Sequence, residues 1–344
     1  MHQILFFSDK EFHERAEHML EKLGLANEVS LKIVASKQYA APTPEDLNGC
    51  EAFISESALI TAEVAENLRQ AGIRCCSVMS IGMNHVDVDA CTKNGIIVTN
   101  CPGYCAEEVA LHTVALMLDL MRNISMGYQS VLEGNWNPRV GIPTHRPAGQ
   151  TLGLVFFGRI AQQVAPLAQA LGMNVVVWAP TKSKEELAAA GCKQAETLEE
   201  LLIQSDVVSL HCPLIPETKN LMGEKEFELM KPHALFINTA RGECVDEDAL
   251  LNALNTSIAS NGEKGILACG LDTVCGESNH SFNRKLIEHP RSLVTPHLAY
   301  NSEEAVDALV RMTIEAAAQF VVEHRIPDNA YNAEDLIKAG TLPL

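Results

Sequence analysis

The sequence predicts an α/β protein built on parallel sheets. Short apolar runs at residues 3–7 and 31–35 flank a charged, amphipathic helical stretch at residues 10–23. The same alternation returns as a strand at 52–55, a helix at 61–70 and a strand at 75–78. Strands separated by helices pair in parallel, because each helix carries the chain back along the sheet. A chain of 344 residues can form two such domains, each with its own core.

Residues 151–180 contain the most informative of these alternations. An apolar run reaches Gly158, a helical pattern follows, and Gly172 ends it before a second apolar run at 175–178. This order predicts a βαβ unit whose first turn can hold a dinucleotide pyrophosphate against a helix N-terminus. The fingerprint G-x-G-x-x-G/A places Phe156, Gly158 and Ala161 at its three positions. Phe156 is unexpected there, so a plain βαβ element without a ligand is the alternative.

The rest of the chain follows the same pattern. Pro102-Gly103 interrupts it before a long apolar helix at 106–121, which predicts a domain boundary. Residues 123–149, with Trp136 and several prolines, show little periodicity and are interpreted as a connecting arm that could pack on another subunit. Residues 255–264 are polar and are interpreted as a loop insertion, and 302–320 predict a helix.

Several apolar strands are followed directly by polar residues. Strands predicted at 207–210, 234–238, 265–271 and 293–295 lead into His211, Arg241, Asp272 and His297 respectively. In an open parallel sheet the carboxyl ends of the strands form the ligand-binding edge. These side chains are therefore expected on one edge.

Composition limits the classes of partner. The net charge of -18 argues against nucleic acids and anionic membranes, because both would repel such a surface. The sequence contains no signal-peptide pattern and no apolar run of about 18 residues, so a cytoplasmic protein with a small-molecule or protein partner is expected. The 11 cysteines are interpreted as reduced core residues, with a metal site or a disulfide framework as the less favoured alternative.

A series of motifs resembles the D-2-hydroxyacid dehydrogenases. It comprises SIGMNHVDVDA, TNCPGYCAEEVALHTVALML, GQTLGL…GRIA…ALGM, LHCPLIPETKNLM, FINTARGECVDEDAL, GLDTV…E and TPHLAYNSEEA, in order from residue 80 to 308. Two motifs are closest to the branch of the C-terminal-binding-protein corepressors, and SIGMNHVD is similar to D-lactate dehydrogenases. The resemblance implies two Rossmann-like, doubly wound parallel-sheet domains with the active site in the cleft between them. The substrate-binding, flavodoxin-like domain would comprise residues 1–101 plus 302–344, and the dinucleotide-binding Rossmann domain residues 102–301.

The resemblance also implies catalytic residues. Arg241 matches the arginine that binds the carboxylate of a 2-oxo acid, and His297 matches the acid/base that protonates the keto oxygen. Glu277 matches the carboxylate that orients this histidine and favours its imidazolium form, although Ser278 follows it where the family usually has proline. Backbone amides of Ser80, Ile81 and Gly82 would bind the substrate carboxylate. Taken singly, each of these residues could instead be an ordinary surface, capping or turn residue without a catalytic role. The other histidines are interpreted as structural (His85, His112, His211 and His233).

The implied cofactor is NAD(P)H, and no metal is expected. Ala179 stands where NAD enzymes carry an acid for the ribose 2′-hydroxyl, and Lys182 and Lys184 follow it, which leans slightly towards NADP. The two lysines could equally begin a solvated helix. The residues implied to contact the dinucleotide are Gly158, Arg159, Ile160, Ala179, Cys212, Pro213, Thr239, Ala240 and Asp272.

Three functions from different classes follow. The favoured one is a homodimeric NAD(P)H-dependent oxidoreductase that interconverts a small 2-oxo acid and a D-2-hydroxy acid. The second is a nucleotide-sensing regulator like the corepressors. The third is a homologue with lost or altered dinucleotide binding, motivated by Phe156 and Ala179 together.

Overall fold

The computed structural model describes residues 1–37 and 39–343. The chain divides into two compact units, Met1–Tyr104 with Ser302–Leu344, and Cys105–Asn301. The strands are β1 (His2–Ser8), β2 (Val29–Ala35), β3 (Ala52–Ser55), β4 (Cys75–Val78), β5 (Ile97–Thr99), β6 (Thr151–Val155), β7 (Asn174–Trp178), β8 (Lys193–Gln194), β9 (Val207–Leu210), β10 (Leu235–Asn238), β11 (Ala268–Leu271) and β12 (Ser292–Val294). The helices are α1 (His13–Lys22), α2 (Pro44–Leu47), α3 (Ala62–Gln70), α4 (Val88–Lys93), α5 (Ala106–Arg122), α6 (Ile124–Leu132), α7 (Arg159–Ala170), α8 (Lys184–Ala189), α9 (Leu198–Gln204), α10 (Glu224–Leu229), α11 (Glu247–Ala259), α12 (Arg284–Ile287), α13 (Glu303–Val321) and α14 (Ala333–Ala339). Over the described ranges, no helix combines the length and apolar character needed to span a bilayer.

The first unit contains a five-stranded sheet with the order β2-β1-β3-β4-β5, and all of its strand pairs are parallel. Ile4, Leu5 and Phe6 on β1 are completely buried, because one core cluster covers each face of the sheet. A strand buried on both faces reads as a continuous apolar run, which is why the sequence predicted it. This strand order is that of flavodoxin-like sheets.

The second unit contains a seven-stranded sheet with the order β12-β11-β10-β9-β6-β7-β8, and its pairs are also parallel. Counted from β6, this is the order of a dinucleotide-binding sheet with one additional strand. The direction of strand progression reverses between β6 and β9, and ligands bind outside the carboxyl ends of the strands at such a point. The predicted α/β class with two doubly wound parallel sheets is confirmed.

One sequence prediction about local structure is wrong, and another segment contains a helix that was not predicted. The proposed loop insertion at 255–264 begins inside a helix, because α11 continues to Ala259. Leu250, Leu254 and Ser257 are fully buried at helical spacing, so the polar residues between them lie on the solvent side. The arm at 123–149 begins with a helix, α6, whose large apolar residues are mostly exposed and therefore gave no amphipathic pattern.

Candidate active site

The turn between β6 and α7 lies at the point where the strand order of the second unit reverses. Phe156 follows β6 with φ 71°, in the left-handed region that glycine adopts freely. Its backbone N–H donates to the Trp178 carbonyl at 2.8 Å, and its ring meets the Trp178 ring edge-on, with 5.7 Å between centroids. The turn thus has a left-handed residue at the first fingerprint position, and the ring packs on the neighbouring strand.

The N-terminus of α7 has room for a phosphate. Gly158 precedes the helix, and a Cβ built on it would meet no atom within 4 Å. The first amides of a helix have no acceptor within the helix, so those of Arg159 and Ile160 can donate to an anion in front of them. The residues present here fit the pyrophosphate of a dinucleotide.

The end of β7 is the place where a ribose hydroxyl would be recognised. Ala179 is 6% exposed and packs in a core cluster, so this position offers no carboxylate. Lys182 Nζ lies 2.9 Å from Glu186 Oε1, and Ser183 caps α8, which Lys184 begins. The charge of Lys182 is therefore partly balanced within the protein, and Lys184 is exposed.

Polar and thiol residues follow β9 on the other side of the reversal. His211 Nε2 lies 2.9 Å from Ser209 Oγ, and burial lowers the pKa of His211 to about 4, so the ring is neutral near pH 7. The hydrogen bond with Cys244, together with burial, raises the pKa of the Cys212 thiol. Cys212 is 3% exposed and belongs to a core cluster, so it is an uncharged, buried residue immediately before Pro213.

The turn after β10 carries Arg241. Asn238, which is 1% exposed, accepts the backbone N–H of Ala240 and donates to the Arg241 carbonyl, both at 2.9 Å. Thr239 Oγ1 lies 2.9 Å from Thr113 Oγ1 on α5. The Arg241 guanidinium donates from Nη1 to the Ala240 carbonyl at 2.6 Å. A guanidinium has five N–H donors, so others remain for a carboxylate.

A glycine brings the loops after β10 and β11 together. A Cβ on Gly242 would lie 2.1 Å from the Val274 carbonyl carbon and 2.4 Å from the Cys275 nitrogen. Only glycine allows this approach between two backbones. The contact places Arg241 near Glu277, and the positive charge of Arg241 contributes to lowering the pKa of that glutamate.

His297 and Glu277, which the family resemblance implied to be partners, form a hydrogen-bonded pair. His297 Nδ1 lies 2.6 Å from Glu277 Oε2, and the side chains are 42% and 27% exposed. The Val274 amide donates to the other carboxylate oxygen, Oε1, at 2.9 Å. Because Nδ1 faces the glutamate, the ring can transfer a proton only through Nε2.

The electrostatics of Glu277 keep it ionised. Burial alone would raise its pKa, but the hydrogen bond and charge of His297, the Val274 amide and the charge of Arg241 outweigh burial. The net pKa lies below the ordinary value of a glutamate. An ionised carboxylate only accepts hydrogen bonds, so His297 Nδ1 donates to Glu277 Oε2, and this bond fixes the orientation of the ring.

Asp272 holds the loop on which His297 lies. Its carboxylate accepts hydrogen bonds from Thr295 Oγ1 at 2.6 Å and from the amides of Leu298 and Ala299, both at 3.0 Å. Its own carbonyl accepts the His297 amide at 2.9 Å. His297 has φ 52°, a conformation that costs a non-glycine residue on the order of 1–3 kcal/mol and needs support from its surroundings.

Residues 114–299 match the protein-family model described as D-isomer specific 2-hydroxyacid dehydrogenase, NAD binding domain. This match covers more than half of the chain. The chain belongs to that family.

Relatives of this dehydrogenase-family chain match over most of its length. It is 31% identical to the D-3-phosphoglycerate dehydrogenase of Methanocaldococcus jannaschii, over 94% of this chain and 58% of the relative. It is 32% identical to the glyoxylate reductase of Thermococcus litoralis, over 81% of this chain and 83% of the relative. The chain thus spans little more than half of the first relative and most of the second. The crystal structure of D-lactate dehydrogenase from Aquifex aeolicus, complexed with NAD and lactic acid, is 28% identical, with a TM-score of 0.79 over 98% of both chains.

The second unit of this family member contains every implied catalytic residue and all the implied cofactor residues. Ser80, Ile81 and Gly82 belong to the first unit, where they follow β4. Ser80 Oγ donates to the Gly82 carbonyl at 2.6 Å, and Asn100 Nδ2 donates to the Ile81 carbonyl at 2.9 Å. The roles assigned to these residues and to those of the second unit remain predictions.

Sequence reasoning missed residues that shape this family member's site. Asn238 and Thr295 are small polar residues at the ends of β10 and β12, and they fix the turns that lead to Arg241 and His297. Gly242 follows Arg241 directly in the sequence. A glycine at that position was a signal that another backbone approaches closely there. His112 was interpreted as structural, and no pattern in the chain indicated that its ring reaches Thr295.

Proposed function

We propose that this protein is an NAD(P)H-dependent oxidoreductase that reduces a small 2-oxo acid to a D-2-hydroxy acid, in a reversible reaction. The observation that carries the proposal is the His297–Glu277 pair, with 2.6 Å between Nδ1 and Oε2, next to the turn that bears Arg241. An acid, a group that orients it and a carboxylate-binding arginine are what this reaction requires.

The proposed roles follow from the chemistry of each side chain. Arg241 binds the carboxylate of the oxo acid through its planar fork of N–H donors and polarises the keto oxygen. His297 gives the proton on Nε2 to that oxygen, and Glu277 stabilises the positive ring that holds the proton beforehand. For the first unit, the corresponding proposal is that the backbone amides of Ser80, Ile81 and Gly82 bind a substrate carboxylate. When bound, the reduced nicotinamide supplies the hydride.

We propose that the turn at Gly158 and the residues along the edge of the second sheet hold the nicotinamide dinucleotide, with a small preference for NADPH. Ala179 supports this preference, since a site without a carboxylate does not repel a 2′-phosphate. Lys184, five residues further along the chain, is exposed, whereas Lys182 already pairs with Glu186. The expected preference is therefore small. The family resemblance implies that Asp272 holds the carboxamide of the nicotinamide. Within the protein, the Asp272 carboxylate already accepts three hydrogen bonds.

The alternatives receive less support. A corepressor-like regulator is not favoured, because the relatives described above carry names of dehydrogenases and a reductase. A homologue without dinucleotide binding is not favoured either, because Gly158 leaves the space before α7 open.

We also propose that the protein is cytoplasmic and that it forms a homodimer. The proposed dimer contact is α6 and the segment after it. Ile124, Tyr128, Val131 and Leu132 are 61%, 66%, 48% and 62% exposed on α6, and Trp136 is 89% exposed. Exposed apolar side chains at this density mark an interaction surface. Light scattering of the original protein and of Tyr128→Glu tests this, and a monomer in both would refute the dimer.

The test of the activity is a turnover assay with the purified protein. We expect NADPH and NADH to be oxidised in the presence of glyoxylate, pyruvate or hydroxypyruvate, and chiral chromatography to find a D product wherever the product has a stereocentre. Nucleotide binding without turnover of any 2-oxo acid would favour the regulator. No binding of either nucleotide would overturn the proposal and favour the third function.

A further inference from the structure

Two consecutive residues of α5 contact two different loops. One loop carries His297, the proposed acid, and the other carries Arg241, the proposed carboxylate-binding residue. His112 Nε2 lies 3.0 Å from Thr295 Oγ1, two residues before His297. Thr113 Oγ1 lies 2.9 Å from Thr239 Oγ1, two residues before Arg241. Consecutive helical residues point about 100° apart, so one turn of α5 can reach the ends of two different strands.

The direction of each hydrogen bond on the His112 side follows from its neighbours. Thr295 Oγ1 donates its proton to Asp272 Oδ1 at 2.6 Å, so the threonine oxygen accepts from His112. His112 therefore carries a proton on Nε2, which also lies 3.5 Å from Asp272 Oδ1. The carboxylate in turn accepts the amides of Leu298 and Ala299. A continuous chain of hydrogen bonds thus runs from α5 to the backbone just after His297.

This chain of hydrogen bonds supports a backbone that would not hold its conformation alone. His297 has φ 52°, which is unfavourable for a residue with a Cβ. Asp272 binds the loop on both sides of it, through its carbonyl to the His297 amide and through its carboxylate to the next two amides. The orientation of the Asp272 carboxylate therefore helps to hold the backbone that carries the His297 ring.

The Thr113 side is a buried hydroxyl pair. Thr113 Oγ1 donates to the Val109 carbonyl at 2.7 Å, so it accepts from Thr239. The two residues are 2% and 7% exposed. Buried hydroxyls add little stability over an apolar pair of the same shape, but a satisfied pair fixes one arrangement. Fixing Thr239 fixes the start of the turn to Arg241.

We infer that His112 and Thr113 are positioning residues of the proposed reductase. His112 fixes the His297 loop through Thr295 and Asp272, and Thr113 fixes the Arg241 turn through Thr239. The kinetic part of this inference rests on the proposed function, whereas the structural part does not.

Paired variants separate positioning from packing. His112→Phe keeps a ring but removes the donor, and His112→Gln restores an N–H at a similar reach. Because misplacement of an acid by about 1 Å can cost up to about 10²-fold, we expect His112→Phe to lower kcat at least about tenfold. The KM for the oxo acid should change less than about threefold. His112→Gln should recover most of this loss.

Thr113→Val and Thr113→Ser are the matched pair that tests the link to Arg241. Valine keeps the shape and removes the hydroxyl, so we expect Thr113→Val to raise the KM for the oxo acid about tenfold, with kcat less affected than in His112→Phe. Serine should recover the original KM within about threefold. A valine variant with an unchanged KM, or a serine variant as impaired as valine, overturns the role of Thr113.

Amide hydrogen exchange tests the His112 link without any turnover. We expect the Leu298 and Ala299 amides to exchange at least about tenfold faster in His112→Phe, and near their original rates in His112→Gln. Equal exchange in His112→Phe and the original protein overturns the inference, as does an equal kcat in the Phe and Gln variants. If His112→Phe does not fold, Thr295→Val against Thr295→Ser removes and restores the same link. A protein that reduces no 2-oxo acid but shows the faster exchange refutes the proposed function and leaves the positioning intact.

Discussion

Phe156 allows the left-handed turn before α7 to be tested by a pair of substitutions. Phe156→Gly and Phe156→Ala both remove the ring that meets Trp178 edge-on at 5.7 Å. They differ only in the Cβ that alanine keeps at a φ of 71°. The difference between the two variants therefore reports the backbone conformation, because the loss of the ring is common to both.

The expected magnitude follows from opposing effects. Relief of the left-handed conformation favours glycine by roughly 1–2 kcal/mol, and the greater freedom of glycine in the unfolded chain opposes it by roughly 0.5–1 kcal/mol. Phe156→Gly should therefore be more stable than Phe156→Ala by about 1 kcal/mol, or about 2–4 °C in Tm for a domain of this size. Thermal and denaturant unfolding of both variants measure this difference. An alanine variant as stable as the glycine variant would refute a left-handed Phe156.

The same variants show whether the ring hinders nucleotide binding. Because the ring packs on Trp178 and the space before α7 is open, Phe156→Gly should change the Kd for NADH and NADPH less than about threefold. Both nucleotides share the pyrophosphate, so they should respond alike. A tightening of about tenfold or more for both would mean that the ring keeps the pyrophosphate away from the helix.

Three further substitutions test the proposed roles of residues in the second unit. Glu277→Gln should move the pH at which the reduction rate falls to a lower value, because a neutral amide no longer favours the imidazolium; an unchanged pH profile would contradict the pairing. Since the contacts of Glu277 lower its pKa in the folded protein, its ionised carboxylate should stabilise the fold at neutral pH. This contribution should be lost as pH falls below the ordinary glutamate pKa, which acid unfolding of Glu277→Gln beside the original protein can check. Arg241→Lys keeps the charge but loses the fork, so it should raise the KM for the oxo acid and lower kcat together; unchanged kinetics would make Arg241 structural. Ala179→Asp should shift preference towards NADH, since a carboxylate accepts from a 2′-hydroxyl and repels a 2′-phosphate, with Ala179→Asn as the uncharged control and the two Kd values as the measurement.

The sequence predicted most of the strands, because buried parallel strands are continuous apolar runs, but not the short strands β5 and β8. β3, β4 and β9 coincide with the runs at 52–55, 75–78 and 207–210. It missed α6, because the apolar residues of that helix face outward and give no buried stripe. It also missed α11, because polar residues on the exposed side of that helix concealed buried residues at helical spacing.

The site was predictable as a set of residue types in order along the chain, but not as a geometry. The position of Arg241, Asp272 and His297 after parallel strands implied one sheet edge. The contact between His112 and Thr295 joins residues 183 positions apart, and its existence depends on how α5 packs on the sheet. The positive φ of Phe156 and His297 was equally hidden, because neither residue type demands that conformation.

The most direct test of the central claim is the turnover of His297→Ala, measured together with its nucleotide affinity. If His297 delivers the proton, kcat for the reduction of a 2-oxo acid should fall by at least about 10²-fold, while the Kd for NADH and NADPH stays within about threefold of the original protein. A His297→Ala variant that reduces the oxo acid at close to the original rate would contradict the account.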